Sequence, residues 1–420
     1  MPERLPLAEL VAEQRRRLSL SLAAIARGMA QAAIKEGSYC GASRQTVHEI
    51  EQGRRIPHPD ALRWLAVALN LPAELVAKAA GQQRVNRRQL LRNAALMGGA
   101  LGGGLLGERL AYALDGRGRL DGETVSDMAA ITAGYRRAYR QLSVRALRPQ
   151  VRGHRAIVTE LLGCSGPPVL HDRLVVTLGE TEALLGCMLM LDLGNFDRAS
   201  FHLGRALHAA RHANARELEA FILGGMTFYA AYGGNQAEAL QLVQRGRQLA
   251  STAGTPATRG WLAAVDAEMQ ARTGNAASTQ RALDEAAEAL HAVHDQSPRT
   301  WIGIDTFNTA KLASYSGLCF VLLGQPRRAI EELTRSLGGL DPALRKHRCT
   351  AMADLATALV QLNEIDEGCR QASASLQLAI ELRHAANADR IRKLRPRLAQ
   401  WSGHPAVRRL DEQLRAVARW

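Results

Sequence analysis

Two neighbouring side chains near the start of the chain, Arg44 and Gln45, have the chemistry that reads DNA bases. In the major groove an arginine donates two hydrogen bonds to a guanine edge, and a glutamine pairs in a similar way with adenine. Ser43 precedes them and can cap a helix by accepting a hydrogen bond from an amide two or three residues later. The same predicted helix carries three further polar residues, Thr46, His48 and Glu49.

The residues that follow place two permanent positive charges on a turn. Val47 and Ile50 lie three positions apart and can be buried together, which leaves the polar residues on the opposite face. Gly53 then ends the helix, because glycine adopts the left-handed backbone conformation at little cost. Arg54 and Arg55 come directly after it and can bind DNA phosphates. The stretch therefore predicts a major-groove helix followed by a phosphate-binding turn.

Length and composition favour a helical protein of two or three domains. Of the 420 residues 47% are hydrophobic and only 4% aromatic, which favours the packing of helix on helix. The formal net charge of +14 suggests a polyanionic partner such as nucleic acid, or simply reflects a high arginine content. The six cysteines show no metal-ligand spacing, so we interpret them as small apolar residues of a reduced, cytoplasmic chain.

One internal segment imitates an export signal. Residues 86–91 read NRRQLL, and an apolar, glycine-rich run follows at 94–106. This run is too short to span a bilayer and comes after a predicted folded domain. We interpret the segment as an interdomain helix, and we expect neither an N-terminal signal peptide nor a membrane partner.

Apolar periodicity predicts five helices within the first 82 residues, and one pattern among them is specific. The pattern S-R-Q-T-V-x-x-I-E-x-G-R-R-x-P, beginning at Ser43, resembles the recognition half of the phage-repressor (XRE/Cro-type) helix-turn-helix family. The resemblance implies a lambda-repressor-like fold whose third helix enters the major groove of double-stranded DNA. The DNA-contacting residues that it implies are Ser43, Arg44, Gln45, Thr46, His48, Glu49, Arg54 and Arg55.

The resemblance also implies a structural ion pair and shows one departure. Glu51 matches a family carboxylate that pairs with an arginine of the first helix, and Arg15 stands at the matching place. Ile25 and Val47 lie about twice as far apart as is usual in the family, and the extra residues fall within 29–42. We therefore transfer family roles to the third helix and not to the second.

A repeated turn marks the second half of the chain. A short tetrad, such as Gly-Asn-Phe-Asp at Gly194, follows an apolar helix and precedes another helix. It recurs at Gly234, Gly274, Gly324 and Asn363, in steps of 40, 40, 50 and 39 residues. A helix–turn–helix unit at such a period is typical of stacked helical hairpins. These units resemble tetratricopeptide repeats over about 170–382, and two further helices are predicted to cap them.

The resemblance implies a concave binding surface lined by the first helix of each hairpin. The candidate ligand-binding residues are Tyr229, Trp261, Trp301, Asp305, Asn308 and Lys311. The last three of these lie at positions i, i+3 and i+6, with Trp301 a turn earlier, so they can form one polar patch with an aromatic wall. The alternative is that Trp301 packs against a neighbouring repeat and the polar residues face solvent.

The sequence offers no recognisable catalytic or metal site. His208 and His212 are spaced by four residues but have no carboxylate in a metal-binding motif beside them. The glycine-rich run at 98–104 lacks a preceding strand and a following Lys-Ser or Lys-Thr, so it does not resemble a phosphate-binding loop. We expect no enzymatic activity, no metal and no cofactor.

The sequence thus predicts an all-α protein with five segments. They are a DNA-binding domain (1–82), a helical linker (83–121), a helical cap (122–169), a tetratricopeptide-like α-solenoid (170–385) and C-terminal capping helices (386–420). Family resemblance implies a cytoplasmic, homodimeric transcriptional regulator whose solenoid binds a peptide or small-molecule effector and mediates dimerisation. The alternative is a protein-interaction scaffold with an accessory DNA-binding head.

Overall fold

The protein is all-α in the part of the chain that the structure describes. This structure is a computed structural model, and it describes residues 7–36, 38, 40, 42–52, 57, 59–80, 109, 110, 112–114, 119–292 and 307–417. These residues contain no β-strand, which confirms the predicted class. They form two compact units, one with the described residues up to Ala129 and Arg152–Leu174, the other with Ala130–Val151 and the described residues from Val175 onward. The finer domain boundaries stay predictions.

The five predicted N-terminal helices all form in the first unit. They are α1 (Leu7–Arg17), α2 (Leu22–Lys35), α3 (Arg44–Glu51), α4 (Pro59–Ala68) and α5 (73–80). One apolar core joins them, with Leu7, Ile25, Ile50 and Leu65 among its fully buried members. Each of these residues lies on the apolar stripe of its own helix, so burying the stripes drives the helices together.

The longer spacing between the second and third helices has a simple structural form. Helix α2 continues to Lys35 before Glu36 ends it, so part of the extra sequence lengthens the helix. Glu36 then accepts a hydrogen bond of 3.0 Å from the indole nitrogen of Trp64, which ties the end of α2 to α4. The added residues therefore leave the packing of α2 against α4 in place.

Three long helices follow: α6 (Gly122–Tyr139), α7 (Val144–Leu161) and α8 (Pro168–Cys187). The division between the two units falls inside each of them. Helix α8 runs on into a π-helical turn, Met188–Asp192, in which Met188, Leu189, Met190 and Asp192 are buried. The stretch Pro168–Asp192 is long and apolar enough to cross a membrane by length and composition, but 78% of its most apolar window is buried inside the protein. Its apolar surface is thus used for internal packing.

Helical hairpins build the rest of the second unit. The helices are α9 (Phe196–His212), α10 (Arg216–Tyr232), α11 (Gln236–Ala253), α12 (Pro256–Arg272), α13 (Ala276–His291), α14 (Thr309–Leu322), α15 (Pro326–Gly339), α16 (Arg345–Gln361) and α17 (Ile365–Leu382). The most extensive helix–helix contacts join α10 to α11, α12 to α13, α14 to α15 and α16 to α17. This is the stacked-hairpin arrangement that the repeated tetrads predict.

The tetrads work as turns because of their backbone conformation. Gly194, Gly234, Gly274 and Gly324 have φ values of 61°, 85°, 76° and 69°, a left-handed region that costs glycine little. Asn363 takes the same role with φ 63°, as asparagine tolerates this region best among the other residues. After the first three glycines, the next asparagine caps the following helix by accepting from a backbone amide. Each tetrad therefore ends one helix and starts another.

The two helices of a hairpin differ in how much of their surface is buried. Helix α12 buries 13 of its 17 residues, whereas its partner α13 buries four of 16. A helix that is apolar around its whole circumference must lie inside, and an amphipathic one can face solvent. The first helices of the hairpins therefore form the interior of this unit, and polar residues such as Asp266, Glu268 and Asp354 on them are buried.

Two further helices close the last hairpin, as predicted. They are α18 (Ala385–Leu394) and α19 (Pro405–Val417), joined by a 3-10 segment, Arg395–Trp401. Val407 and Leu410 of α19 are fully buried in a core shared with α17. Arg395 donates to both carboxylate oxygens of Asp411, at 2.5 Å from its Nε and 2.9 Å from a terminal nitrogen, which holds the two ends of this cap together.

Candidate functional site

A reciprocal capping box fixes the start of α3. The Ser43 hydroxyl accepts from the Thr46 amide at 3.1 Å, and the Thr46 hydroxyl accepts from the Ser43 amide at 3.2 Å. Two amides at a helix start would otherwise lack partners, so this exchange stabilises the helix where the candidate DNA contacts begin. Thr46 thus has a structural role that its position in the sequence pattern does not reveal.

Two sets of contacts hold α3 against the other helices of the first unit. Val47 and Ile50 are fully buried in the core. Glu51 accepts from Arg15 of α1 through two nitrogens, at 2.9 and 2.8 Å, which is the pair expected from the family resemblance. A two-pronged arginine–carboxylate contact also restricts orientation, so α3 is held at a defined angle to α1.

The opposite face of α3 is open to solvent. Ser43, Arg44 and Gln45 are exposed, and His48 and Glu49 are partly exposed. The Gln45 amide donates to Glu49 at 3.2 Å, a weak contact that a competing acceptor can replace. The structure therefore brings six of the eight predicted DNA-contacting residues onto one short helix and its cap. Arg54 and Arg55 lie outside the described residues.

The second unit contains a cavity of about 190 Å³, which we call the inner cavity. The first helices α10, α12, α14 and α16 line it, together with α18, the end of α6 and the π-helical turn. Phe221, Phe228, Trp261, Tyr315 and Leu318 supply its apolar and aromatic walls. The Trp261 indole donates to the Tyr315 hydroxyl at 3.1 Å, so the polar atom of each ring has a partner and both rings are fixed.

One glycine makes room for the aromatic wall. Gly224 of α10 lies against the six-membered ring of Trp261, where a Cβ atom would overlap the ring. The Trp261 ring in turn packs on Phe221, with ring centres 5.4 Å apart. The close approach of α10 and α12 therefore depends on a residue without a side chain.

Buried ion pairs form the polar side of the inner cavity. Arg390 donates to the Asp354 carboxylate at 2.6 Å, and Arg272 donates to Glu268 at 2.7 Å. Burial raises the pKa of Asp354, and the positive charge of Arg390 opposes that change. Burial alone would lower the pKa of Arg390, but Asp354 and nearby tyrosine and glutamate groups raise it overall. Each partner therefore favours the charged form of the other.

A second pair joins distant parts of the chain. Lys346 of α16 donates to Asp192 of the π-helical turn at 2.6 Å, and the Tyr139 hydroxyl donates to the other Asp192 oxygen at 2.7 Å. The Lys346 ammonium also lies 3.6 Å from the centre of the Tyr139 ring. Burial lowers the pKa of Lys346, whereas Asp192 raises it. Asp192 therefore satisfies two buried donors at once.

Lys311 differs from these paired charges. It lies on α14 and lines the inner cavity, and its nitrogen is 5.8 Å from the centre of the Tyr315 ring. Within the described part of the chain, no hydrogen bond or ion pair engages its ammonium group. Burial lowers the pKa of Lys311 to about 7, with a further lowering from the charge of Arg390 that Asp354 and Glu268 oppose.

Two histidines complete the lining and carry no charge. Burial lowers the pKa of His384 to about 4, and burial together with Lys311 lowers the pKa of His347 well below its ordinary value. Both are neutral near pH 7 because a buried imidazolium next to lysine and arginine is unfavourable. The cationic character of the inner cavity therefore comes from its lysines and arginines.

A larger cavity of about 810 Å³, the outer cavity, shares Met190, Tyr232, Leu318, Asp354 and Arg390 with the inner one. Its lining adds an exposed basic group on and after α18, made up of Arg392, Lys393 and Arg397. Arg390 and Asp354 therefore stand where the two cavities meet. Ligand cavities in proteins commonly measure about 300–1,000 Å³, a range that includes the outer cavity.

The predicted ligand-binding residues separate in the structure. Trp261 and Lys311 line the inner cavity, whereas Tyr229 packs on Phe196 with ring centres 6.1 Å apart. Asn308 caps α14 by accepting from the Lys311 amide at 2.9 Å. Trp301 and Asp305 lie outside the described residues. No sequence pattern predicted that the following residues line or neighbour the inner cavity: Asp192, Lys346, His347, Asp354 and Arg390.

The described residues contain no group of three or more His, Cys, Asp or Glu side chains that could hold a metal ion. His202, one of the histidines near His208, instead contacts the Glu182 carboxylate at 2.5 Å, and Arg205 donates to the same carboxylate at 2.7 Å. This cluster is an internal contact between α8 and α9.

Comparisons with known proteins find only distant structural likeness. The chain is similar to a Signal Transduction ATPase with Numerous Domains with a tetratricopeptide repeat sensor, from Pyrococcus horikoshii, at 12% identity and a TM-score of 0.42. That match covers 91% of this chain but 56% of the archaeal chain, so this chain spans little more than half of its length. It is also similar to the apo form of the quorum sensor NprR from B. thuringiensis, at 12% identity and a TM-score of 0.37, over 81% of this chain and 95% of that one. No protein-family model and no curated protein matches.

Proposed function

We propose that this protein is a sequence-specific, XRE/Cro-type DNA-binding transcriptional regulator whose helical-repeat unit binds a regulatory ligand. The observation that carries the proposal is the exposed Arg44–Gln45 pair at the capped start of an anchored helix. Side chains that read bases must be exposed before DNA binds, and their helix must already be held in place. Helix α3 meets both requirements.

The helical-repeat unit supplies the sensing part of the proposal. A cavity with aromatic walls and a few charged groups has the composition of a ligand site. The regulatory ligand is a peptide or a small molecule. We further propose that the protein acts as a cytoplasmic homodimer in which each α3 binds one half-site. Ligand binding then changes the spacing of the two α3 helices, and DNA affinity changes because both half-sites must be engaged together.

The test is a selection of bound sequences from a random pool of double-stranded DNA. The purified full chain is compared with an Arg44→Ala/Gln45→Ala variant and with an Arg245→Ala/Gln248→Ala control on α11. The control removes the same side chains and the same charge from exposed positions of the second unit. We expect the wild type and the control to enrich one inverted repeat and the α3 variant to enrich none.

Other outcomes would contradict parts of the proposal. Failure of the folded wild type to enrich any motif would favour the alternative, a scaffold that recruits another protein through its helical repeats. Equal enrichment by the α3 variant would exclude α3 as the reading helix. A single half-site in place of an inverted repeat would contradict the homodimer.

A further inference from the structure

The charges around the inner cavity do not balance among themselves. The carboxylates in or beside the cavity are Asp192, Glu268 and Asp354. Each already has a lysine or arginine nitrogen at 2.6 or 2.7 Å. Within the described part of the chain, the ammonium group of Lys311 contacts the distant ring face of Tyr315 and has no carboxylate or hydrogen-bond partner. Arg140 also lines this cavity but is engaged in an interaction of its own.

An unpaired ammonium in such a place is costly to the folded protein. Lys311 is partly exposed, and a charge that is largely removed from water normally pairs with an opposite charge or becomes neutral, since its surroundings solvate it poorly. A Met or Leu at this position would pack on the same aromatic walls without that cost. An anionic ligand group would provide the missing partner and would be attracted more strongly there than at an exposed lysine.

The aromatic walls and the single unpaired lysine narrow the chemical class of the anionic ligand. Phe221, Phe228, Trp261 and Leu318 offer flat and apolar surfaces that suit an aromatic or aliphatic body. One unpaired cation balances one negative charge, which a carboxylate carries. A phosphate group carries more charge and is typically held by several donors such as a cluster of arginines, whereas Arg390 and Arg272 are already engaged with carboxylates.

We propose that the inner cavity binds an organic acid with a single carboxylate on an aromatic or aliphatic body, and that Lys311 is the cationic partner of that carboxylate. The proposal rests on the sensor role given above and names the chemical class of its ligand. The exposed basic group of the outer cavity, Arg392, Lys393 and Arg397, attracts such an acid to the outer cavity, which shares part of its lining with the inner one.

The test is isothermal titration calorimetry with four acids and their neutral amides: benzoate, 2-naphthoate, indole-3-acetate and octanoate. The full chain is compared with Lys311→Met and with Lys78→Met, a control that removes an exposed lysine of α5. We expect at least one acid to bind saturably, about tenfold or more tighter than its amide. Lys311→Met should reduce its affinity to that of the amide, and Lys78→Met should leave it unchanged.

Two further readouts separate the ligand role of Lys311 from a structural one. Lys311→Arg keeps the positive charge and should retain part of the preference for acid over amide. At pH 8 the lysine of the free protein is largely neutral, so acid binding should take up a proton in the wild type but not in Lys311→Met. This uptake is measured as a difference in binding enthalpy between buffers of different ionisation enthalpy, with the fold of each variant checked by circular dichroism.

Three results would overturn the proposal. They are equal affinity for acids and amides, unchanged acid binding in Lys311→Met, and no saturable binding of any of the four acids to the wild type. None of them bears on DNA selection by α3. If the protein enriches an operator but shows no acid preference, the proposed function stands and this ligand class does not. If it prefers acids but enriches no operator, the ligand class stands and the proposed DNA-binding function does not.

Discussion

The face of α3 and the wall of the inner cavity differ in how their polar side chains are held. Arg44 and Gln45 are exposed, and among the described residues a 3.2 Å contact between Gln45 and Glu49 is what restrains the pair. The side chains of Asp192 and Lys346 are 0% and 6% exposed and hold each other at 2.6 Å. A surface for a large partner can stay solvated, whereas a charge in a cavity needs a partner that comes either from the fold, as for Lys346, or from a ligand, as proposed for Lys311.

We therefore expect partner binding and protein stability to be independent on the face of α3 and coupled in the inner cavity. Substitutions on the face of α3 that leave its cap intact should change partner binding and leave stability nearly unchanged. Substitutions in the inner cavity should change stability even without ligand, because removing one partner of a buried pair strands the other. Four substitutions test the comparison, in order of decreasing expected effect.

The largest effect is expected from Asp192→Ala. This change leaves Lys346 buried without its carboxylate and removes the acceptor of Tyr139, so we expect a loss of about 3–5 kcal/mol in the free energy of unfolding. Urea unfolding followed by circular dichroism measures it. Asp284→Ala, which removes an exposed carboxylate of α13, should cost less than about 0.5 kcal/mol. If the two variants lose the same amount, the buried pair does not matter to stability.

Unlike Asp192→Ala, Lys311→Met should increase the stability of the protein, and it should also change the pH dependence of that stability. Burial lowers the pKa of Lys311 from 10.5 to about 7, so the folded state binds fewer protons than the unfolded state between these values. The resulting destabilisation is complete below pH 7 and disappears as pH rises toward 10.5. We expect Lys311→Met to be more stable by about 1–3 kcal/mol at pH 6, the scale of a buried polar group without a partner.

The measurement is urea unfolding of Lys311→Met and wild type from pH 6 to pH 10. The stability difference should shrink steadily across this range. Tyr315, Glu268, His347, Asp354 and Arg390 face the same space and are present in both proteins, so their titration largely cancels in the difference. Lys78→Met should show no such trend. A constant difference, or a less stable variant at pH 6, would contradict the unpaired state of Lys311.

Ser43→Ala should cost about 1 kcal/mol, because it removes the cap of α3 while leaving its buried anchors in place. Ser43→Asn keeps an acceptor for the Thr46 amide and should recover most of the loss. Thermal unfolding of the two variants measures the difference. Equal stability of Ser43→Ala and wild type would mean that Val47 and Ile50 alone fix the start of the helix.

The smallest effect on stability is expected from Arg44→Ala combined with Gln45→Ala. Both side chains are exposed, and alanine favours helix, so the free energy of unfolding should change by less than about 0.5 kcal/mol. Urea unfolding checks this. A loss above about 1 kcal/mol would show that the pair supports the fold, and the contrast with the inner cavity would fail.

Local features of this protein were readable from its sequence. The tetrads were predictable because a glycine or asparagine in the left-handed conformation followed by a capping residue is a matter of neighbouring residues alone, as at Gly234 and Asn235. The pairing of Arg15 with Glu51 followed from the family resemblance, since spacing alone does not bring α1 and α3 together.

The charge arrangement of the inner cavity was not readable in the same way. Asp192 and Lys346 lie 154 residues apart, and no local pattern states which hairpin faces which. One feature of the sequence did point to these residues. Helix α16 is apolar on several sides and yet carries Lys346 and Asp354, so these charges require partners inside the protein. Periodicity did place Trp261 and Lys311 on first helices, but it could not separate them from Tyr229, which packs elsewhere.

The central claim, that α3 reads DNA sequence, is tested most directly by a ratio of affinities. At one fixed salt concentration, fluorescence anisotropy compares binding of the enriched site with binding of a scrambled duplex. We predict a ratio of about 10³ or more for the wild type, the scale of specific regulators. It should fall toward one in the Arg44→Ala/Gln45→Ala variant while binding to the scrambled duplex persists. A ratio near one for the wild type, or an unchanged ratio in the variant, would contradict the claim.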